Sequence, residues 1–144
     1  MPTDRADLTT EIKAPCDTVL AAIRDIASQP DWIPEVEEAE VLEVYQDGLP
    51  ATARFTASAG GGTDEFTLSY DHADDSMSWT MVESRLLDGQ EGRFTVRPLA
   101  PDRTGVTYDL TIEHNLALPG FMRNRIIKRL VSGTLEGLRQ HLES

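Results

Sequence analysis

The stretch "EFTLSYDH", residues 65–72, places Phe66, Leu68 and Tyr70 on one side of an extended chain and Glu65, Thr67 and Ser69 on the other. The same alternation returns in "SMSWTMVES" with Met77, Trp79 and Met81, and in "GRFTVRPL" with Phe94 and Val96. It returns again in "VTYDLTIEH", which aligns Val106, Tyr108, Leu110 and Ile112. Period-two alternation in successive segments joined by short turns means an antiparallel meander with one buried and one wet face. "EAEVLEVYQ", the turn "DGLP" and "TARFTAS" extend the meander towards the N-terminus, and "DLTTEIKAP" (7–15) reads as a short first strand. A one-sided sheet must bury its apolar face against another layer.

The only segment long enough to supply that layer is "FMRNRIIKRLVSGTLEGLRQHLES", residues 121–144. Ile127, Leu130, Val131, Leu135, Leu138 and Leu142 recur at helical spacing, with Arg125, Lys128, Arg129, Glu136 and Arg139 opposite. That is an amphipathic helix of about six turns. The fold class is therefore α+β, a curved antiparallel sheet gripping a long C-terminal helix in one domain spanning residues 1–144. "CDTVLAAIRDIAS" (16–28) reads as an earlier helix, with Pro15 at its first position and Asp17 favouring its dipole. In "QPDWIPEV" the prolines Pro30 and Pro34 forbid a long helix around Trp32. Trp32 there either covers a core edge or forms the wall or lid of a cavity.

Charge narrows the partners. The net charge is −12, which excludes a broad nucleic-acid footprint, because phosphate binding needs a basic face. Residues 1–118 carry 8 Lys+Arg against 23 Asp+Glu, whereas residues 119–144 carry 5 against 2. The basic end complements the acidic body or offers a protein partner the face of Arg125, Lys128 and Arg129. No apolar run approaches the roughly 20 residues of a membrane span, so no integral membrane association is expected. The start "MPTDRADLTTEIKAP" lacks a signal-peptide pattern, which makes a cytoplasmic location the expectation. Eleven arginines against two lysines suit a GC-rich bacterial genome. Cys16, the one cysteine, reads as a small half-buried side chain and builds neither disulfide nor thiolate metal site.

Several features point to a cavity. Phe55, Phe66, Tyr70, Trp79, Met81, Phe94 and Tyr108 share the inward parity, and one helix covers a wide concave sheet poorly. Such a stripe is either core or the lining of an apolar ligand site. Gly133 and Gly137 flank Met122 and Ile126 at one edge of the helix's apolar arc; they give either close packing or empty volume. His72, Glu83 and His114 continue the inward rows at strand ends, where they are either solvated or positioned for acid–base work. HExxH, CxxC, GxSxG and a Walker lysine are absent, so no metal and no cofactor are expected. "AGGGTD" lacks a lysine and a following helix and reads as a hairpin turn or bulge.

"EIKAPCDTVLAAIRDIASQPDWIPEV" resembles the opening of START-like domains, the SRPBCC superfamily, in which "I-x-A-P" begins the first helix. In that pattern an aspartate closes the first helix and an aromatic–x–P closes the second, matched by Asp25 and by Trp32 with Pro34. "SMSWTMVES" and "HNLALPGFMRNRIIKRLVSGTLEGLRQHLES" are similar to the polyketide cyclase/dehydrase and coenzyme-Q-binding-protein branch. The resemblance implies the helix-grip fold, with seven strands, two short N-terminal helices, and an apolar tunnel between sheet and helix. It also implies a hydrophobic ligand such as a lipid, quinone or polyketide, with Trp32 at one end of the tunnel.

Three functions follow as expectations. The first is binding or transport of a hydrophobic small molecule by Trp32, Phe55, Phe66, Tyr70, Trp79, Met81, Phe94, Tyr108, Met122, Ile126, Leu130, Gly133 and Gly137. Tyr70, Tyr108 or His114 would orient its polar group. The second is a polyketide aromatase/cyclase, with Glu83 or His114 as acid or base; Arg54, Arg93 and Arg97 have the wrong parity to reach a tunnel. The third is a protein-interaction module acting through the basic helix face.

Overall fold

A computed structural model describes residues 3–58, 62–115 and 117–143. The strands are β1 (Thr3–Ile12), β2 (Val36–Val44), β3 (Pro50–Ser58), β4 (Thr63–Ala73), β5 (Ser76–Ser84), β6 (Gly89–Ala100) and β7 (Arg103–Glu113). They form one seven-stranded antiparallel sheet in the order β1-β7-β6-β5-β4-β3-β2. The first strand thus lies beside the last, and the meander runs in sequence order from β7 back to β2. Part of the expected "AGGGTD" turn, residues 59–61, lies outside the described residues.

The C-terminal helix, α2 (Gly120–Glu143), buries Ile127, Val131, Thr134, Leu135 and Leu138, chiefly against β1 and β7. Each such aliphatic side chain contributes about 1.5–3 kcal/mol of apolar burial. The N-terminal helical segment is shorter than its periodicity predicts. The helix α1 (Cys16–Arg24) stops at Asp25, whose φ of −80° and ψ of 79° leave the helical region. A 3₁₀ helix (Ile26–Asp31) follows, and Ser28 Oγ donates to Asp25 Oδ2 at 2.7 Å across the break. Pro15 is the N-cap of α1, one position ahead of the expected first helical residue, and its carbonyl accepts from Val19 N at 3.0 Å. Cys16 is half-buried.

Two glycines of α2 that look equivalent in sequence do different work. A Cβ on Gly137 would run into the carbonyl oxygen of Trp32, whereas one on Gly133 meets nothing within 4 Å. Gly137 is therefore the seat on which the end of the 3₁₀ segment rests, and it leaves no empty volume. Trp32 is 3% exposed, and its ring meets Phe94 edge-on at 6.2 Å. The paired prolines, the buried ring and the Gly137 contact fix this short element against both layers.

A β-bulge changes one expected orientation. Leu68 pairs with Met81 but Thr67 pairs with Glu83, so Val82 is an extra residue in β5. An extra residue inverts the side-chain parity beyond it. Glu83 consequently points to the outer face and is exposed, while Ser84 turns inward opposite Phe66.

Gly133→Ala should stabilise the protein by about 0.5–1 kcal/mol through helix propensity alone. Gly137→Ala should destabilise it by about 1–3 kcal/mol, because the 3₁₀ segment must move. Urea unfolding of the two variants reads both signs; a stabilised Gly137→Ala would show that the contact with Trp32 yields freely.

Candidate functional site

Between the concave face of the sheet and α2 lies a cavity of about 200 Å³. Its sheet wall is aromatic. Phe55 and Phe66 stack at 5.3 Å, and Phe94 and Tyr108 stack at 4.4 Å. Trp79 sits between them, 5.5 Å from Phe94, 5.9 Å from Tyr108 and 6.2 Å from Tyr70. Trp79 fits there because its register partner is Gly92, where a Cβ would collide with the indole ring. Stacked and tilted ring pairs of this kind are worth about 0.5–1.5 kcal/mol each beyond their area burial. The opposite wall is Ile126, Ile127, Leu130 and Thr134 of α2. Burial pushes the Tyr70 and Tyr108 hydroxyls well above the usual phenol range, so both stay neutral donors.

Polar groups enter at three places. His114, just past β7 and 4% exposed, places Nε2 2.6 Å from Asp4 Oδ2, and Arg123 Nε lies 3.4 Å from Asp4 Oδ1. All three line the cavity, with the Asp4 carboxyl between the imidazole and the guanidinium. At a second place, buried Asp64 accepts from Ser84 Oγ at 2.6 Å and from Arg85 N and Leu86 N at 3.0 Å each. Asp64 thereby pins the β5–β6 connection, which contributes Leu86 and Leu87 to the wall. The third is Glu35, at the entry to β2. Its Oε1 is buried without a hydrogen-bond partner, and burial raises the carboxyl above its ordinary range.

Eight of the expected ligand-binding residues line this space: Phe55, Phe66, Tyr70, Trp79, Phe94, Tyr108, Ile126 and Leu130. Five do not. Trp32 is packed behind the wall, Met81 is part of the adjoining core, and Met122 is 40% exposed. Gly137 is filled by the Trp32 backbone, and Gly133 borders open space. Of the acid–base candidates, His114 reaches the cavity and Glu83 does not, since the bulge at Val82 turns it outward. His72 binds Pro50 O at 2.7 Å and packs against Tyr70 and Tyr45, away from the lining.

Unlike His114, the groups Asp4, Asp64 and Arg123 escaped sequence reasoning, for identifiable reasons. Asp4 has the inward parity of Ala6, Thr10 and Ile12, but β1 begins at Thr3, four residues before the expected strand. Asp64 shares the parity of Phe66 and Leu68 and was absorbed into the glycine-rich turn. Arg123 precedes Ile127 by one helical turn, a spacing that the neighbouring basic residues conceal. Among the described residues no group of three or more His, Cys, Asp or Glu could hold a metal ion.

A family model for polyketide cyclase / dehydrase and lipid transport matches residues 3–143. The chain belongs to that family. Its fold is that of the START superfamily. A START superfamily protein from Mycobacterium smegmatis is 26% identical over 96% of this chain and 97% of its own, with a TM-score of 0.90. The Zhui aromatase/cyclase from Streptomyces sp. R1128 is 17% identical over 99% and 94%, with a TM-score of 0.83. A STAR-related lipid transfer protein fragment from Xanthomonas axonopodis is 21% identical over 97% and 86%, with a TM-score of 0.72. No curated protein matches the sequence significantly. Among the described residues no helix is long and apolar enough to cross a membrane. Arg125, Lys128 and Arg129 are exposed, and neither the structure nor the comparisons support a protein partner on that face.

Asp64→Ala should cost about 1.5–3 kcal/mol, because it strands two amides that now donate to a carboxylate. Hydrogen exchange should accelerate at Arg85 and Leu86 well before the core strands open; unchanged exchange there would show that the connection is held by packing alone.

Proposed function

We propose that this family member binds a compact, largely apolar small molecule between its sheet and α2. The observation that carries this reading is the cavity itself, whose walls are aromatic rings and aliphatic side chains. Magnitude refines it. An apolar cavity of about 150 Å³ in another protein holds benzene, whereas sites for drug-sized ligands run from about 300 Å³ upward. A space of about 200 Å³ matches a ligand of one or two rings, and a long acyl chain requires α2 or the β5–β6 connection to shift. Burying about 250 Å² of apolar ligand surface at about 25 cal/mol per Å² yields about 6 kcal/mol. Association costs reduce this, so Kd values from tens of micromolar upward are expected.

A second reading, cyclase-type chemistry, rests on His114. An imidazole oriented by Asp4 at 2.6 Å is placed to exchange a proton with a bound ligand, and Arg123 adds a cation beside it. Binding is favoured over catalysis because those three groups are already engaged with one another. Glu83 drops out of the catalytic reading.

Extraction of the protein purified from a near-native host, followed by mass spectrometry, tests the binding reading directly. A stoichiometric apolar molecule is the expected result. Leu130→Trp, which fills the cavity from the helix side, should abolish its retention with the circular dichroism spectrum unchanged. Retention undiminished by Leu130→Trp would place the ligand elsewhere.

A further inference from the structure

Glu35 is the feature of the cavity that packing alone leaves unexplained. Among the described residues it is the one lining side chain whose buried oxygen has no hydrogen-bond partner. Two lining nitrogens also lack a hydrogen-bond partner, but both are donors: Arg123 Nε faces Asp4 at 3.4 Å, and Trp79 Nε1 has none, so Glu35 Oε1 is the unpartnered acceptor of the wall. A buried carboxyl oxygen without a partner is costly. A bound ligand that donates a hydrogen bond removes that cost. We propose that Glu35 is the polar subsite of the cavity and selects neutral ligands that carry a hydroxyl group on an apolar, one- or two-ring body.

The surroundings decide the sign of the selected group. The other titratable groups lining the cavity are Asp4, Asp64, Tyr70, Tyr108, His114 and Arg123. Tyr108 lies within electrostatic reach of Glu35 from β7: burial first, and the Glu35 charge second, raise its hydroxyl, so Tyr108 stays neutral. Arg123 and His114 are engaged with Asp4, and Asp64 is saturated by Ser84 and two amides. Among the described lining residues both basic side chains thus already face a carboxylate, and a carboxylate ligand also meets the acidic oxygens of Glu35, Asp4 and Asp64. A hydroxyl donates to Glu35 in either of its protonation states. The bond strengthens when Glu35 ionises, because hydrogen bonds to charged groups are the stronger kind.

This inference rests on the binding reading above, and the test separates the two. The probes are naphthalene, its monohydroxyl derivative naphthol and its carboxylate naphthoate, titrated calorimetrically against the full chain. Naphthol should bind about tenfold more tightly than naphthalene, and naphthoate more weakly than either. Glu35→Leu should bring naphthol and naphthalene to equal affinity. Glu35→Gln, similar in shape and non-ionisable, should keep a preference for naphthol and lose the rise in naphthol affinity between about pH 4 and about pH 8 that the unaltered protein shows. Equal binding of naphthol and naphthalene by the unaltered protein overturns the assignment of Glu35 and leaves the cavity reading standing. A preference that survives in Glu35→Leu, or an unchanged pH profile in Glu35→Gln, does the same. If none of the three probes binds, the cavity reading fails and the subsite with it.

Discussion

A helix is narrower than the sheet it must cover. With side chains α2 is about 10–12 Å across, whereas seven strands spaced about 4.8 Å apart present a face of about 30 Å. One helix cannot seal such a face. In this chain α2 lies over the β1–β7 side, α1 packs against β5, β6 and β7, and the 3₁₀ segment sits on β2. What remains between these covers is the cavity. Its existence is a geometric consequence of pairing one broad curved sheet with one long helix, and side-chain choice settles only whether it stays open. Large rings on the sheet and modest aliphatics on α2 keep it lined and unfilled.

The polar groups obey a stricter rule than the apolar ones. A buried ionisable group must find partners or change its charge state. Asp4, His114 and Arg123 answer by compensating one another, and Asp64 answers through a hydroxyl and two backbone amides. Both solutions also tie distant pieces of chain together: β1 to the start of α2, and β4 to the connection after β5. Glu35, like the buried Tyr70 and Tyr108 hydroxyls, is pushed by burial towards its protonated form. The wall therefore combines carboxyls whose accepting capacity is used with one, Glu35, whose buried oxygen has capacity left over.

Most of the fold was legible in the sequence because alternation and helical periodicity are geometric signals that survive local irregularity. Phe66, Tyr70, Trp79, Phe94 and Tyr108 could be placed on one face by counting in twos. Counting fails where the backbone gains a residue. The bulge at Val82 sends Glu83 to the outside, and nothing in "SMSWTMVES" announces it. Counting also fails where it starts too late, as with Asp4. Glycines were ambiguous for a different reason: Gly133 and Gly137 have the same local propensity, and only the approach of the Trp32 backbone, roughly a hundred residues earlier in the chain, distinguishes them. Cavity boundaries likewise depend on contacts between segments remote in sequence, which a one-dimensional pattern does not encode.

The pairing of β1 with β7 has a consequence for how the molecule is made. Thr3 lies opposite Glu113, so the strand synthesised first waits for the strand synthesised last before it gains a neighbour. Contacts of such sequence separation close slowly, because a long loop must be ordered before they reward it. During translation the meander from β2 to β7 can zip up hairpin by hairpin while the part of its apolar face that α2 covers stays open, since α2 emerges after all of it. Until then the aromatic wall lacks the aliphatic side chains of α2 that face it across the cavity. The cavity therefore takes its final shape only when α2 docks, at the last step of the chain's order of assembly.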